Sequence, residues 1–196
     1  MRRSLSVLSL SVLCLAHVAH AASPLWSCSP LNINGDTTLL IVWGARGYQV
    51  AQSFTPSRDG VPTSIAIALT QTPYDRNTTA SWLQASLFTD DGLGHPGTLL
   101  AASAPLHVTG IGYYSVTRAT FPFSTAPLLL GGTSYVVVLS APPSERQVAV
   151  RGSAVDETYH DCLGGHESSS VDGGLTWVDY VTGGYSIDAA LNVNAP

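Results

Sequence analysis

The feature that most constrains this chain is a short alternation. Between Thr63 and Thr70, Ile65, Ile67 and Leu69 fall on one side of any extended backbone, and Ser64, Ala66 and Ala68 on the other. Successive side chains of a strand point to opposite faces, so this period of two places an apolar row inside and a small, polar row outside. The pattern returns between Ser81 and Thr89, where Leu83, Ala85 and Leu87 form the apolar row. No long stretch carries the 3.6-residue period of an amphipathic helix. Short β-branched and aromatic runs recur instead: Thr37 to Trp43, Tyr48 to Thr55, Thr98 to Ser103, Tyr113 to Phe123, Thr133 to Ala141, Gln147 to Gly152, Thr176 to Val181 and Ser186 to Val193. Glycine, proline, aspartate and asparagine separate them, as in Asp59-Gly60 and Gly131-Gly132, residues that supply the dihedrals of tight turns. About ten strands at this spacing predict an all-β chain folded as a single antiparallel β-sandwich, jelly-roll-like.

The N-terminus reads as an export signal. Arg2 and Arg3 precede an apolar stretch from Leu5 to Val18, and Ala19-His20-Ala21 gives a small-x-small cleavage pattern before Ala22. Residues 1–21 are therefore expected to be a secretory signal peptide. The protein is expected outside the cytoplasm, extracellular or periplasmic, with no membrane insertion after cleavage. Removal leaves about 175 residues, enough for one domain with a sizeable core. Residues 22–47 are read as a segment leading into the sandwich and residues 48–196 as the sandwich domain. Cys28 and Cys162 both survive cleavage. In an oxidising compartment one disulfide between them is the simplest outcome, with two free thiols or an intermolecular bridge as alternatives.

Charge excludes some partners. The chain holds thirteen acidic residues against eight basic ones, a net charge of −5, and has no lysine. Nucleic acid demands phosphate neutralisation, and anionic lipid demands basic clusters, so neither is expected. Only 11% of residues are charged. Such a neutral, hydroxyl-rich surface suits a polysaccharide or a cell-surface glycan.

Two resemblances add to this reading. Ser170, Asp172, Gly174, Thr176 and Trp177 match the pattern S-x-D-x-G-x-T-W, which resembles the Asp-box hairpin repeated around sialidase propellers. A propeller needs several four-stranded blades, and this chain carries the motif once. The expected role is a structural turn: the aspartate accepts backbone hydrogen bonds, the glycines adopt the required dihedrals and the tryptophan packs beneath. Four segments in order, "AQSFT" from Ala51, "SLFTDDGLGHPGTLLA" from Ser86, "LLLGGTSYVVVLS" from Leu128 and "SVDGGLTW" from Ser170, resemble bacterial secreted choice-of-anchor domains, most closely type R. The resemblance spans Tyr48 to Val193. It implies an extracellular β-sandwich without established catalytic residues, often followed by an anchoring signal. The ending "DAALNVNAP" contains no sorting motif or apolar helix, so free secretion is expected.

Candidate site residues follow from chemistry. Sugars stack their C–H faces on aromatic rings while polar side chains take their hydroxyls. Tyr74, Arg76, Asn77, Trp82, Tyr113 and Tyr114 supply that mixture at strand ends and loop edges, as does Trp43, although these aromatics serve equally well as core or as caps on its ends. Asn77-Thr78-Thr79 also matches a glycosylation acceptor. Asp90 and Asp91, near His95, can begin a calcium site, which needs six to eight oxygens, or can bond the backbone of their own turn. His160, Asp161, Cys162 and His166 offer zinc-binding groups, but a disulfide at Cys162 would remove the thiolate, and a structural loop is favoured. No other cofactor is expected. No G-x-S-x-G or comparable nucleophile arrangement is present. The leading expectation is a secreted, non-enzymatic module that binds carbohydrate or another surface polymer. The alternatives are a structural or adhesive protein that binds a protein partner or itself, and a small secreted glycoside hydrolase.

Overall fold

The computed structural model describes residues 24–28, 39–71, 77–112, 116–155, 167–179, 181–182, 185–189 and 191–196. In chain order its strands are β1 (Trp26–Cys28), β2 (Leu39–Trp43), β3 (Gln49–Phe54), β4 (Ser64–Thr70), β5 (Ala80–Asp90), β6 (Pro96–Ala102), β7 (Leu106–Thr109), β8 (Thr117–Pro122), β9 (Tyr135–Ser140), β10 (Gln147–Val155), β11 (Glu167–Ser170), β12 (Val178–Asp179), β13 (Val181–Thr182), β14 (Tyr185–Ala189) and β15 (Leu191–Asn194). One 3-10 turn, Gly44–Arg46, joins β2 to β3. Among the described residues no helix is long and apolar enough to cross a membrane.

The strands form two antiparallel sheets. The first has eight strands built around β4, which pairs with β8 on one side and with β15 and β10 on the other. The second has seven, in the order β12-β11-β3-β9-β5-β6, with β7 also on β5. The chain crosses between sheets from β3 to β4, β4 to β5, β8 to β9 and β9 to β10. This is the all-β sandwich that the alternation predicts.

The alternation shows why the layers close. Ile65, Ile67 and Leu69 of the first sheet meet Leu83, Ala85 and Leu87 of the second in one buried cluster with Phe54, Phe121, Val137 and Leu139. Each fully buried aliphatic or aromatic side chain contributes roughly 1.5–3 kcal/mol by leaving water. On the other face of β4, Ala66 and Ala68 are also buried. They sit on a strand flanked on both sides, where a methyl group lies below the reach of its neighbours.

The sequence reading differs from the structure at several places. Strand β2, on β10, falls within the expected run Thr37 to Trp43, but the N-terminal segment also supplies β1, on β15, which the reading did not include. The run Thr176 to Val181 is divided: Thr176 belongs to a turn, Val178–Asp179 pairs with β11 and Val181–Thr182 with β14, and Tyr180 lies outside the described residues. Ser186 to Val193 divides into β14, paired with β10, and β15, paired with β4 and β1. Residues 1–21, Tyr74, Arg76, Tyr113, Tyr114, His160, Asp161, Cys162 and His166 lie outside the described residues, and the proposed partner of Cys28 with them.

Candidate functional site

Strand β5 carries the candidate platform. Its Ser81, Leu83, Ala85 and Leu87 face inward and are buried, so Trp82, Gln84, Ser86 and Phe88 belong to the outer face. Trp82 is 45% exposed, high for so large an apolar side chain on a sheet. Register sets it opposite His107 of β7. The two rings are stacked, with centroids 4.9 Å apart and planes 25° apart, within the range of favourable aromatic contact. The inner side of this strand end is tied down. The hydroxyl of Ser81 donates to Oε2 of Glu145 at 2.9 Å, and the backbone N–H of Trp82 donates to the same oxygen at 3.0 Å.

Glu145 is placed by a close approach of backbones. It lies in the turn between β9 and β10, where its N–H donates to the Pro142 carbonyl at 2.9 Å. Gly44 of the 3-10 turn presses against that same carbonyl; a Cβ there would stand 1.7 Å from the Pro142 oxygen. The Ala45 N–H also reaches the Glu145 carbonyl, at 3.4 Å.

Described residues that flank the other sugar-site candidates in the sequence are bonded to one another. Thr70 Oγ1 and the Gln71 N–H both donate to the Gly112 carbonyl, at 2.8 and 3.2 Å. Gln71 Nε2 donates to the Ile111 carbonyl at 3.0 Å, and the Ile111 N–H to the Thr79 carbonyl at 3.0 Å. Tyr74, Arg76, Tyr113 and Tyr114 themselves lie outside the described residues. Asn77 is exposed, five residues before Trp82. The sequence reading did not include His107 or Glu145. Only the aromatic or acidic type of each was visible, since their approach to Trp82 depends on pairing across the fold.

The segment from Ser170 to Trp177 forms a dense hydrogen-bonded turn. Asp172 Oδ1 accepts from the N–H groups of Leu175 and Thr176, both at 3.0 Å, and from the Ser170 hydroxyl at 2.8 Å. Its Oδ2 accepts from the Thr176 hydroxyl at 2.6 Å. Ser170 Oγ accepts from the Gly174 N–H at 2.8 Å. Gly173 and Gly174 take φ of 79° and 90°, the left-handed region that glycine enters without strain. The hydroxyl and amide of Thr176, then the hydroxyl of Ser170, stabilise the ionised Asp172 and lower its pKa to about 2. Trp177 donates from Nε1 to the Gly174 carbonyl at 3.2 Å. Its ring packs on Ala51, Val136 and Val138 of the outer face, with Phe88 beside it. The turn is braced by the Gly173 N–H, which donates to the Gly47 carbonyl at 3.0 Å.

The loop from Asp90 to Pro96 is held by its own carboxylates. Asp90 Oδ1 accepts from the N–H groups of Gly92 and Gly94, and its Oδ2 from the Ser134 hydroxyl at 2.6 Å. Asp91 Oδ1 accepts from the N–H groups of Leu93 and His95. Partial burial raises the Asp90 pKa, but the Ser134 hydroxyl, the Gly92 and Gly94 amides and nearby His95 outweigh it and hold it below the ordinary carboxylate value. His95 reaches from this loop to β12, with Nε2 at 2.6 Å from Asp179 Oδ1. These carboxylates thus organise their own turn, and among the described residues no group of three or more His, Cys, Asp or Glu is placed to hold a metal ion.

Comparison with models of protein families and with curated proteins finds no match for this chain. The functional reading rests on the geometry above and on the residues themselves.

Proposed function

We propose that the protein is a secreted, non-enzymatic β-sandwich module that binds carbohydrate on the outer face of its second sheet. One observation carries the reading: Trp82 stands 45% exposed and stacked on His107, with its backbone N–H held by Glu145. A rigid, flat aromatic surface offers contact area at small entropic cost. The low charge content and the absence of lysine support a neutral, hydroxylated partner. The signal-like N-terminus and the likeness to choice-of-anchor domains support a place outside the cytoplasm.

Native affinity electrophoresis through gels holding soluble polysaccharides tests this. Retardation in at least one gel is expected, and Trp82→Ala is expected to weaken it by about tenfold or more, the loss typical of an aromatic anchor. A Trp82→Ala protein retarded as strongly as the parent would overturn the platform.

Exposed Leu93, Leu175 and Val178 favour a second reading. Leu93 lies on the loop of His95, Leu175 on the turn before β12 and Val178 on β12 beside Asp179, which His95 contacts, and they suit an adhesive surface that binds protein or a further copy. Self-association by light scattering, with no retardation in any gel, would decide for it.

A further inference from the structure

Resting on the carbohydrate reading, we infer that Glu145 is a ligand-binding residue and that the sugar lies on the face of Trp82 turned away from His107, which selects uncharged pyranose polymers. His107 covers one face of the indole. The opposite flank belongs to the turn after β9. Gln84 pairs with Ser140, the last residue of β9, so the position beside Trp82 falls beyond the strand end, in the turn that carries Glu145. A sugar ring stacked there becomes the third layer of a His107–Trp82–sugar stack.

The carboxylate is held for that task. Both bonds from Ser81 and Trp82 go to Oε2, and among the described residues none goes to Oε1. An ionised carboxylate accepts and never donates. Its open oxygen therefore suits the hydroxyl groups along a pyranose edge, and it repels the carboxylates of uronic acids. Two cations flank the turn, Arg46 and Arg146, and each is already engaged within the protein. The local chemistry thus favours hydroxyl donors over acidic sugars. A cationic amino-sugar polymer would be drawn by the net charge of −5 wherever it touched, independently of Trp82.

Glu145→Gln separates the two jobs of this side chain. The amide oxygen still accepts from Ser81 and Trp82, while an NH2 group replaces the open oxygen. Ser81→Ala does the converse, removing one brace and keeping the carboxylate. The purified parent and both variants, with Trp82→Ala, are run through gels of hydroxyethyl cellulose, xylan, alginate and chitosan. Melting temperature and tryptophan emission are recorded for each. Retardation by a neutral polymer is expected, lost in Trp82→Ala, and reduced roughly tenfold or more in Glu145→Gln, the scale of one hydrogen bond to a charged group. Ser81→Ala, which removes one of the two bonds that hold the carboxylate, is expected to weaken binding less than Glu145→Gln. If Glu145→Gln binds like the parent while Trp82→Ala does not, the role of Glu145 is overturned and the platform stands. If Ser81→Ala weakens binding as much as Glu145→Gln, the carboxylate only holds the strand end, and the inference fails. Retention by alginate, or by chitosan alone without loss in Trp82→Ala, overturns the ligand class. Retention that ignores Trp82 removes the platform and this inference together.

Discussion

At the scale of single residues, two glycines separate the steric and conformational uses of a missing side chain. Gly173 has φ of 79° and nothing within 4 Å of the place a Cβ would take. Its replacement by alanine costs only the left-handed backbone, about 1–2 kcal/mol. Gly44 is the opposite case. A Cβ there would stand 1.7 Å from one backbone oxygen and 2.6 Å from its carbon, atoms that no rotamer change can move. Gly44→Ala is expected to cost about 3 kcal/mol or more, the upper end of measured overpacking. Because Pro142 belongs to the turn of Glu145, it should also displace the carboxylate that holds the Trp82 N–H. Thermal melting of the two variants checks the order, and a Gly44→Ala protein as stable as Gly173→Ala would refute the close contact.

At the scale of elements, the hairpin of Ser170 to Trp177 covers part of the outer face. Trp177 is half-buried over Ala51, Val136 and Val138, a cluster on the outer face and apart from the main core. Trp177→Ala should uncover those residues and destabilise by about 2–3 kcal/mol, at or below the range for fully buried aromatics. Urea unfolding checks this; an unchanged midpoint would show that the hairpin does not seal the face. The same elements show what was legible in the sequence. Alternation exposed β4 and β5, because apolar periodicity is a local signal. Ser170 and Asp172 were legible as a turn for the same reason: their partners lie within a few residues. Strand β11, Glu-Ser-Ser-Ser, carries no β-branched or aromatic residue, and pairing with β3 and β12 makes it a strand. Strand β7 is four residues long with a single histidine facing Trp82. Trp82 itself was marked as a candidate by its residue type. Its partners were hidden, since His107 and Glu145 lie 25 and 63 residues away, and register decides both contacts.

At the scale of the whole molecule, acid should be the weak side of the stability profile. Asp172 and Asp90 are both more acidic folded than unfolded. A carboxylate with a depressed folded pKa contributes stability that is complete above the unfolded value and is lost as pH falls through the folded one. For Asp172 that window runs from the ordinary value of 3.8 down to about 2. The melting temperature is therefore expected to be level between neutrality and about pH 5 and to fall between about pH 4 and 2. Asp172→Asn distinguishes this cause from general acid denaturation. Its amide oxygen can still accept from the Leu175 and Thr176 backbones, but it carries no charge to lose. The variant should be less stable than the parent at pH 7, with a shallower acid limb, so that the two melting curves converge near pH 2. Parallel curves with a constant offset would mean that the charge of Asp172 does not hold the turn. The hairpin would then depend on Trp177 and its apolar bed, and acid would have to act on the sandwich through other carboxylates.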